Sequence, residues 1–243
     1  MKRPFDDAPL FSLFWENSKL NARTAERFAE RLDEDARTAG RVAQLFYPGA
    51  DVALERPDDA LQRVMERRRS GRAFSPRALT LRELGGLFAA FRRRDGGRLI
   101  ASAGGKYPVE VFAFLYRVEG PLDGQIVYYN GDAHALARAA AAPSFADAAF
   151  AFGLPGLERA PAALFVFAGF PGRVCARYGE RGGRFLLMEC GYHAHALALR
   201  LAHAGLAGVE TGGLHDDAVK RWLGLDGTDA VIALGYACGA PAE

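Results

Sequence analysis

Ser102-Ala103-Gly104-Gly105-Lys106-Tyr107-Pro108 follows an arginine-dense stretch, Arg67-Arg68-Arg69-Ser70-Gly71-Arg72, and precedes an apolar run over residues 109–118. Two adjacent glycines let the main chain approach a flat ligand, because no side chain stands between. Clustered arginines offer paired donors to a phosphate. Together the two segments predict a phosphorylated planar cofactor, held partly by backbone.

These residues need elements to position them. Residues 22–45 carry Ala25, Phe28, Ala29, Leu32, Ala36, Ala39 and Val42 near helical spacing, and Tyr47-Pro48-Gly49 closes that pattern. A second helix is expected from Asp58 or Asp59, with Leu61, Val64, Met65 and Arg68 on one face, stopping before Gly71. Thr80-Leu81-Arg82-Glu83 is a capping box, followed by a buried stripe of Leu81, Leu84, Leu87, Phe88 and Phe91. Residues 109–118 read as a buried strand, 119–124 as a turn and 125–129 as the returning strand. Asp132 is read as the cap of an alanine-rich helix to Ala142, and Ser144 as the cap of another through Phe152. Residues 162–170 predict a central strand. Residues 183–203 form the longest helical pattern, with Gly205 as its left-handed terminator. Strands over 206–211 and 230–238 flank a short helix over 216–223. The irregular alternation favours an α+β fold over a doubly wound one. Residues 1–56 read as an N-terminal helical extension and 57–243 as the main domain.

Half of the 243 residues are hydrophobic and a quarter are charged, as in ordinary globular chains. The net charge of +2 gives little support to nucleic-acid binding. The basic residues are uneven, however. Arg63, Arg67, Arg68, Arg69, Arg72 and Arg77 crowd one region, and Arg92, Arg93 and Arg94 another, the latter read as a solvated helix face. The three cysteines, Cys175, Cys190 and Cys238, include no CxxC pair, which argues against a disulfide framework or structural zinc. They read as small core or surface residues. His193 and His195, two apart on a helix, diverge too far to share a metal. Phe112, Phe114, Tyr116, Phe165, Phe167 and Phe170 alternate within strands and read as core. No apolar run approaches a membrane span, and the N-terminus shows no secretory h-region, so a cytoplasmic protein is expected.

The order of these blocks resembles the nitroreductase superfamily, and within it the SagB-type dehydrogenases, flavin-dependent oxidases of thiazole/oxazole peptide maturation. The resembling segments are Phe14-Trp15-Glu16-Asn17-Ser18-Lys19-Leu20, Tyr47-Pro48-Gly49, Arg68-Arg69-Ser70-Gly71-Arg72, and Ser102-Ala103-Gly104-Gly105 with Tyr107-Pro108. Tyr128-Tyr129-Asn130 with His134 resembles that branch's hairpin-to-helix junction. Arg177-Tyr178-Gly179-Glu180-Arg181-Gly182, Glu189-Cys190-Gly191, Gly212-Gly213-Leu214-His215-Asp216-Asp217 and Leu223-Gly224-Leu225-Asp226-Gly227 complete the series. The resemblance implies a mainly antiparallel sheet wrapped by helices, in an intertwined homodimer with FMN at the subunit interface. It implies that Arg68, Arg69, Ser70 and Arg72 grip the FMN phosphate and pyrimidine edge. Ser102, Ala103, Gly104 and Gly105 would lie along the flavin, that of the partner subunit, and Gly212 and Gly213 would present N–H groups near its reactive nitrogen.

In the resembling dehydrogenases a Lys-Tyr pair serves azoline oxidation; here the pair is Arg177-Tyr178. Arginine keeps its proton and cannot be a general base, though it can hold a carboxylate. Tyr178 is the candidate acid/base. Lys106, where the family is often aliphatic, is a second candidate base if desolvated, and otherwise a solvated loop lysine. The long helix also departs from the family's Gly-His-x-x-Gln-Asn, reading Gly191-Tyr192-His193-Ala194-His195-Ala196. After Gly239 the sequence reads Ala240-Pro241-Ala242-Glu243, without the family's basic residue, so the phosphate would lean on the arginine segment. The leading expectation is an FMN-dependent dehydrogenase of a peptide or natural-product intermediate, acting with biosynthetic partner enzymes. The alternatives are an NAD(P)H-driven nitro or quinone reductase and a non-catalytic scaffold subunit. The alanine and phenylalanine content of residues 143–160 suggests an apolar lid.

Overall fold

The computed structural model describes residues 6–21, 23–38, 48–49, 52–154, 157 and 160–242. Helix α1 (Pro9–Ser18) starts on a proline and buries Phe11 and Trp15, four residues apart on one face. The first expected helix is seen as α2 (Ala25–Thr38), while Ala22, Ala39, Val42 and Tyr47 lie outside the described residues. Asp59 caps α3 (Ala60–Arg67) by accepting the Gln62 N–H at 2.8 Å. In α4 (Leu81–Phe88) the capping box is complete: Thr80 Oγ1 accepts from Glu83 N–H at 3.1 Å, and the Glu83 carboxylate accepts from Thr80 N–H at 2.9 Å. Leu84, Leu87 and Phe88 are buried, as is Phe91 just beyond. Leu81 is 51% exposed, because it lines an open cavity beside Leu122 and Leu136 rather than the core.

Two expectations are overturned in the next segment. The arginines 92–94 do not form a helix face. Strand β1 (Arg93–Arg94) pairs with β2 (Gly97–Arg98), turning through Asp95 and Gly96 at φ 50° and 80°. An Asp-Gly pair with two positive φ angles is hairpin chemistry. After β3 (Val109–Leu115) and β4 (Gln125–Asn130), the expected alanine-rich helix from Asp132 to Ala142 is strand β5 (Ala135–Ala141). Asn130 Oδ1 accepts from the Asp132 and Ala133 N–H groups at 3.1 and 3.2 Å, which reverses the chain onto β4. The ladder then overrides the helix propensity of alanine. The Tyr128–His134 junction therefore leads from strand to strand.

Ser144 caps α5 (Phe145–Ala151), so much of the 143–160 segment is helical; residues 155–156 and 158–159 are outside the description. Strand β6 (Ala163–Gly169) runs into α6 (Pro171–Tyr178), a helix the periodicity did not reveal because it is a single short stretch opened by Pro171. Gly179 breaks it and α7 (Glu180–Ala204) follows, 25 residues and so about 37 Å long. Gly205 at φ 68° ends α7 as expected. Strand β7 (Ala207–Thr211), α8 (Asp216–Trp222) and β8 (Val231–Gly239) complete the chain.

The six long strands form one antiparallel sheet in the order β5-β4-β3-β6-β8-β7. Its central strands β3 and β6 are buried on both faces. One face sends Val109, Val111, Phe165, Phe167 and Tyr236 against α4 and α7; the other sends Phe114, Leu164, Val166 and Ala237 against α5 and α8. Phe112 is buried with the same group, whereas Tyr116 and Phe170 are half-buried. Cys175, Cys190 and Cys238 are all buried. No helix among the described residues is long and apolar enough to cross a membrane.

Candidate functional site

The loop before β3 and the corner between α6 and α7 meet. Gly104 stands at φ 58°, and a Cβ there would collide with the Tyr178 hydroxyl and lie 3.1 Å from Arg177 Nη1. Glycine takes that conformation and that approach without strain. The Arg177 guanidinium lies 5.3 Å from the centroid of the Tyr178 ring, which packs edge-on against Phe185 at 5.1 Å. Gly179, at φ 52°, provides the sharp turn that leaves Tyr178 at the mouth of α7. The structure thus brings Ser102–Gly105, Arg177 and Tyr178 together, with exposed Lys106 two residues beyond Gly104.

Below the loop lies a layer of buried charge that the sequence reading missed. Glu189 on α7 is 2% exposed, its carboxyl faces Ser102 and the Val109 amide, and its Oε1 has no hydrogen-bond partner among the described residues. Burial pushes its carboxyl pKa up, against the pull of the Ser102 hydrogen bond. One turn on, His193 Nδ1 lies 2.8 Å from the Glu189 carbonyl, and its ring stacks on Phe91 at 5.5 Å. Burial lowers the His193 pKa to about 4, so the imidazole is neutral near pH 7. His195 is exposed, on another side of the helix. Glu110, also buried, shares its Oε1 between Arg98 at 3.2 Å and Arg173 at 2.5 Å, and these guanidiniums hold its carboxyl below the usual range against the opposing push of burial. The available signal was a single charge inside an apolar strand, Val109-Glu110-Val111-Phe112, and a glutamate four residues before a histidine in α7.

Tyr107 organises the loop. It holds φ 45°, a strained value for an aromatic residue. Three hydrogen bonds fix it: its N–H donates to Ser102 Oγ at 2.7 Å, its hydroxyl accepts from Arg98 N–H at 3.2 Å, and its carbonyl accepts from Arg173 Nη1 at 3.1 Å.

The arginine segment lies elsewhere. As the chain leaves α3, Gly71 N–H donates to Gly208 O on β7 at 2.9 Å, and a Cβ on Gly71 would approach Ala207 Cβ to 3.0 Å. Arg67, Arg69 and Gly71 border a cavity of about 190 Å³ with Leu201, Gly205 and Tyr236. Arg69 turns back, and its Nη1 donates to the carbonyls of Glu66 and Arg68 at the end of α3. Arg68, Ser70 and Arg72 make no side-chain hydrogen bond or ion pair among the described residues, which leaves their donors available to an anion. Twelve residues of α7 separate Glu189, under the loop, from Leu201, beside this segment, a distance of about 18 Å.

Gly212 and Gly213 follow β7, the strand on which the arginine segment rests. A Cβ on Gly212 would meet nothing within 4 Å, so its backbone is open to a planar group. Gly213 packs against Gly153, Phe28 and Leu20. Three strand spacings, about 14 Å, lie between β7 and the strand that the 102–105 loop enters. One copy of the chain therefore holds two half-sets: Arg68–Arg72 with Gly212–Gly213 along β7, and Ser102–Gly105 with Arg177 and Tyr178 at the start of α7.

The nitroreductase family model matches residues 65–239. A Methanocaldococcus jannaschii protein provisionally named a nitroreductase is 31% identical over 186 residues, 72% of this chain and 91% of that protein. The Escherichia coli microcin synthetase McbBCD complex, solved with truncated pro-MccB17 bound, contains a chain that matches with a TM-score of 0.69 at 22% identity, over 89% of this chain and 87% of that one. The Vibrio harveyi NADPH:FMN oxidoreductase complexed with NAD+ matches with a TM-score of 0.52 at 18% identity, over 76% and 70% of the two chains.

Proposed function

The chain belongs to the nitroreductase family, and from that premise we propose that it is an FMN-dependent dehydrogenase of a peptide or natural-product intermediate. Azoline-to-azole oxidation of the SagB type is the reaction it suits. The observation that carries this reading is the packing of Gly104 onto Arg177 and Tyr178, which sets a glycine-lined loop beside a cation and a phenolic hydroxyl. The likeness to a chain of a microcin synthetase complex, extending over 89% of this chain, supports a place among peptide-modifying assemblies with partner enzymes.

The residues present suit FMN. Arg68, Ser70 and Arg72, with Arg69 once released from its backbone contacts, would hold the phosphate. Gly212 and Gly213 would offer main-chain donors, and Ser102–Gly105 would cover the ring from a second copy of the chain. When bound, FMN supplies a two-electron acceptor for hydride. Tyr178 Oη is the group at this corner that can exchange a proton with a substrate. Arg177 keeps its charge at every physiological pH and is suited to orient a substrate carboxylate or oxyanion beside that hydroxyl. Lys106 is the alternative candidate base, on the exposed part of the loop.

Replacing Tyr178 with Phe removes the hydroxyl and keeps the ring packing on Phe185. Turnover should be lost while mass analysis of released cofactor still finds FMN. Unchanged turnover would remove Tyr178 from the mechanism. The relative named as a nitroreductase favours a second reading, an NAD(P)H-driven reductase of nitro groups or quinones using the same pocket. Steady-state oxidation of NADPH separates the two, because the dehydrogenase requires no nicotinamide.

A further inference from the structure

Outside that corner, hairpin β1–β2, the loop over residues 102–108 and the start of α6 enclose a cavity of about 270 Å³, lined by Arg93, Gly96, Gly97, Arg98, Lys106, Tyr107 and Arg173. Four cations border it. Arg93 pairs with Asp132 at 2.8 Å, while Arg98 and Arg173 converge on the same oxygen of Glu110. Lys106 has no ion pair among the described residues. Asp229, the nearby carboxylate, accepts from Gly172 N–H at 2.6 Å. Three carboxylates therefore stand among four cations, Glu110 and Asp132 paired with three of them, which leaves the surround of the cavity positive by one charge.

We propose that this cavity is a binding site for a phosphate monoester, carried either by a nucleotide or by the substrate. The lining residues include four cations and no carboxylate, which suits an anion, and a phosphate offers three strong acceptor oxygens. The donors come from four separate places, β1, β2, the loop and α6, and so approach from several sides. A tetrahedral oxyanion, whose acceptor oxygens point in different directions, uses such a spread. Gly96 and Gly97 keep one wall free of side chains, and the Tyr107 ring, 5.2 Å from the Arg98 guanidinium carbon, forms another. Arg98 is built into this wall: its side chain is 8% exposed and held by Glu110. The assignment requires no flavin, so it stands or falls apart from the proposed reaction.

Calorimetric titration of the purified protein with inorganic phosphate tests it. Binding should be saturable, and Arg93→Gln and Arg173→Gln should each weaken it about tenfold, the effect of losing one charge-assisted hydrogen bond. Arg93 lies at the surface, so its variant keeps the measurement available if Arg173→Gln is unstable. Adenosine monophosphate binding more tightly than glycerol phosphate would identify a nucleotide as the carrier; equal affinities would identify the substrate. The proposal is overturned if phosphate does not saturate, if neither variant changes the affinity, if acetate binds as tightly, or if Arg72→Ala alone abolishes binding.

Discussion

Gly104 is where backbone conformation and chemistry meet. Alanine there would carry about 1–2 kcal/mol of left-handed strain and drive its methyl into the Tyr178 hydroxyl. Gly104→Ala should therefore lower the melting temperature and reduce turnover together, with Tyr178 displaced. Full activity in the variant would show that the contact has no part in the reaction. The residue types in this corner were legible from the chain: the paired glycines, the Arg177-Tyr178 dipeptide and Lys106 all stand out by identity and order. Their mutual contact was not, because more than seventy residues separate Gly104 from Tyr178 and no local spacing encodes it. Glu189 and Glu110 were hidden for a related reason. A buried carboxylate shows in the sequence only as a charge out of pattern, and its partners arrive from other elements.

The capping box of α4 places that helix over the sheet. Thr80→Ala removes the acceptor for Glu83 N–H and should destabilise the fold by about 1 kcal/mol, read from urea unfolding. No shift in the midpoint would mean that Arg77 alone secures the helix start. The Arg77 guanidinium, with the Thr80 hydrogen bonds, holds the Glu83 carboxyl down at about 2 against a partial opposing effect of burial. Its folded pKa is below its unfolded one, so its stabilising contribution is complete above about pH 5 and fades as the pH falls toward 2. Glu83→Gln should flatten that part of the acid-unfolding profile; an unaltered profile would assign the acid sensitivity to other carboxylates. Elements with a strong local signal were readable: this capping box, the Gly205 terminator and the apolar runs of β3 and β6. Strand β5 was not, because Ala135-Leu136-Ala137-Arg138-Ala139-Ala140-Ala141 has helical composition and becomes a strand only through pairing with β4. The hairpin over residues 93–98 was not legible either, because strands of two residues are too short to show an alternating pattern.

At the scale of the whole molecule, the two half-sets lie on different elements of one copy, about three strand spacings apart. The homodimer expected from the family resemblance would join them, with each site taking Arg72 from one chain and Tyr178 from the other. Co-expression of Arg72→Ala and Tyr178→Phe chains tests this. Mixed dimers should regain about half of the wild-type activity, because one of their two sites collects both lesions and the other none. If the mixture is as inactive as its parents, both residues serve the same site from one chain. The fold itself has a further consequence for a protein of redox chemistry. Cys175, Cys190 and Cys238 sit within α6, α7 and β8, and burial pushes every one of their thiols above its usual titration range. Only an ionised, accessible sulfur reacts readily with peroxide, so the scaffold keeps its own thiols out of reach of oxidants.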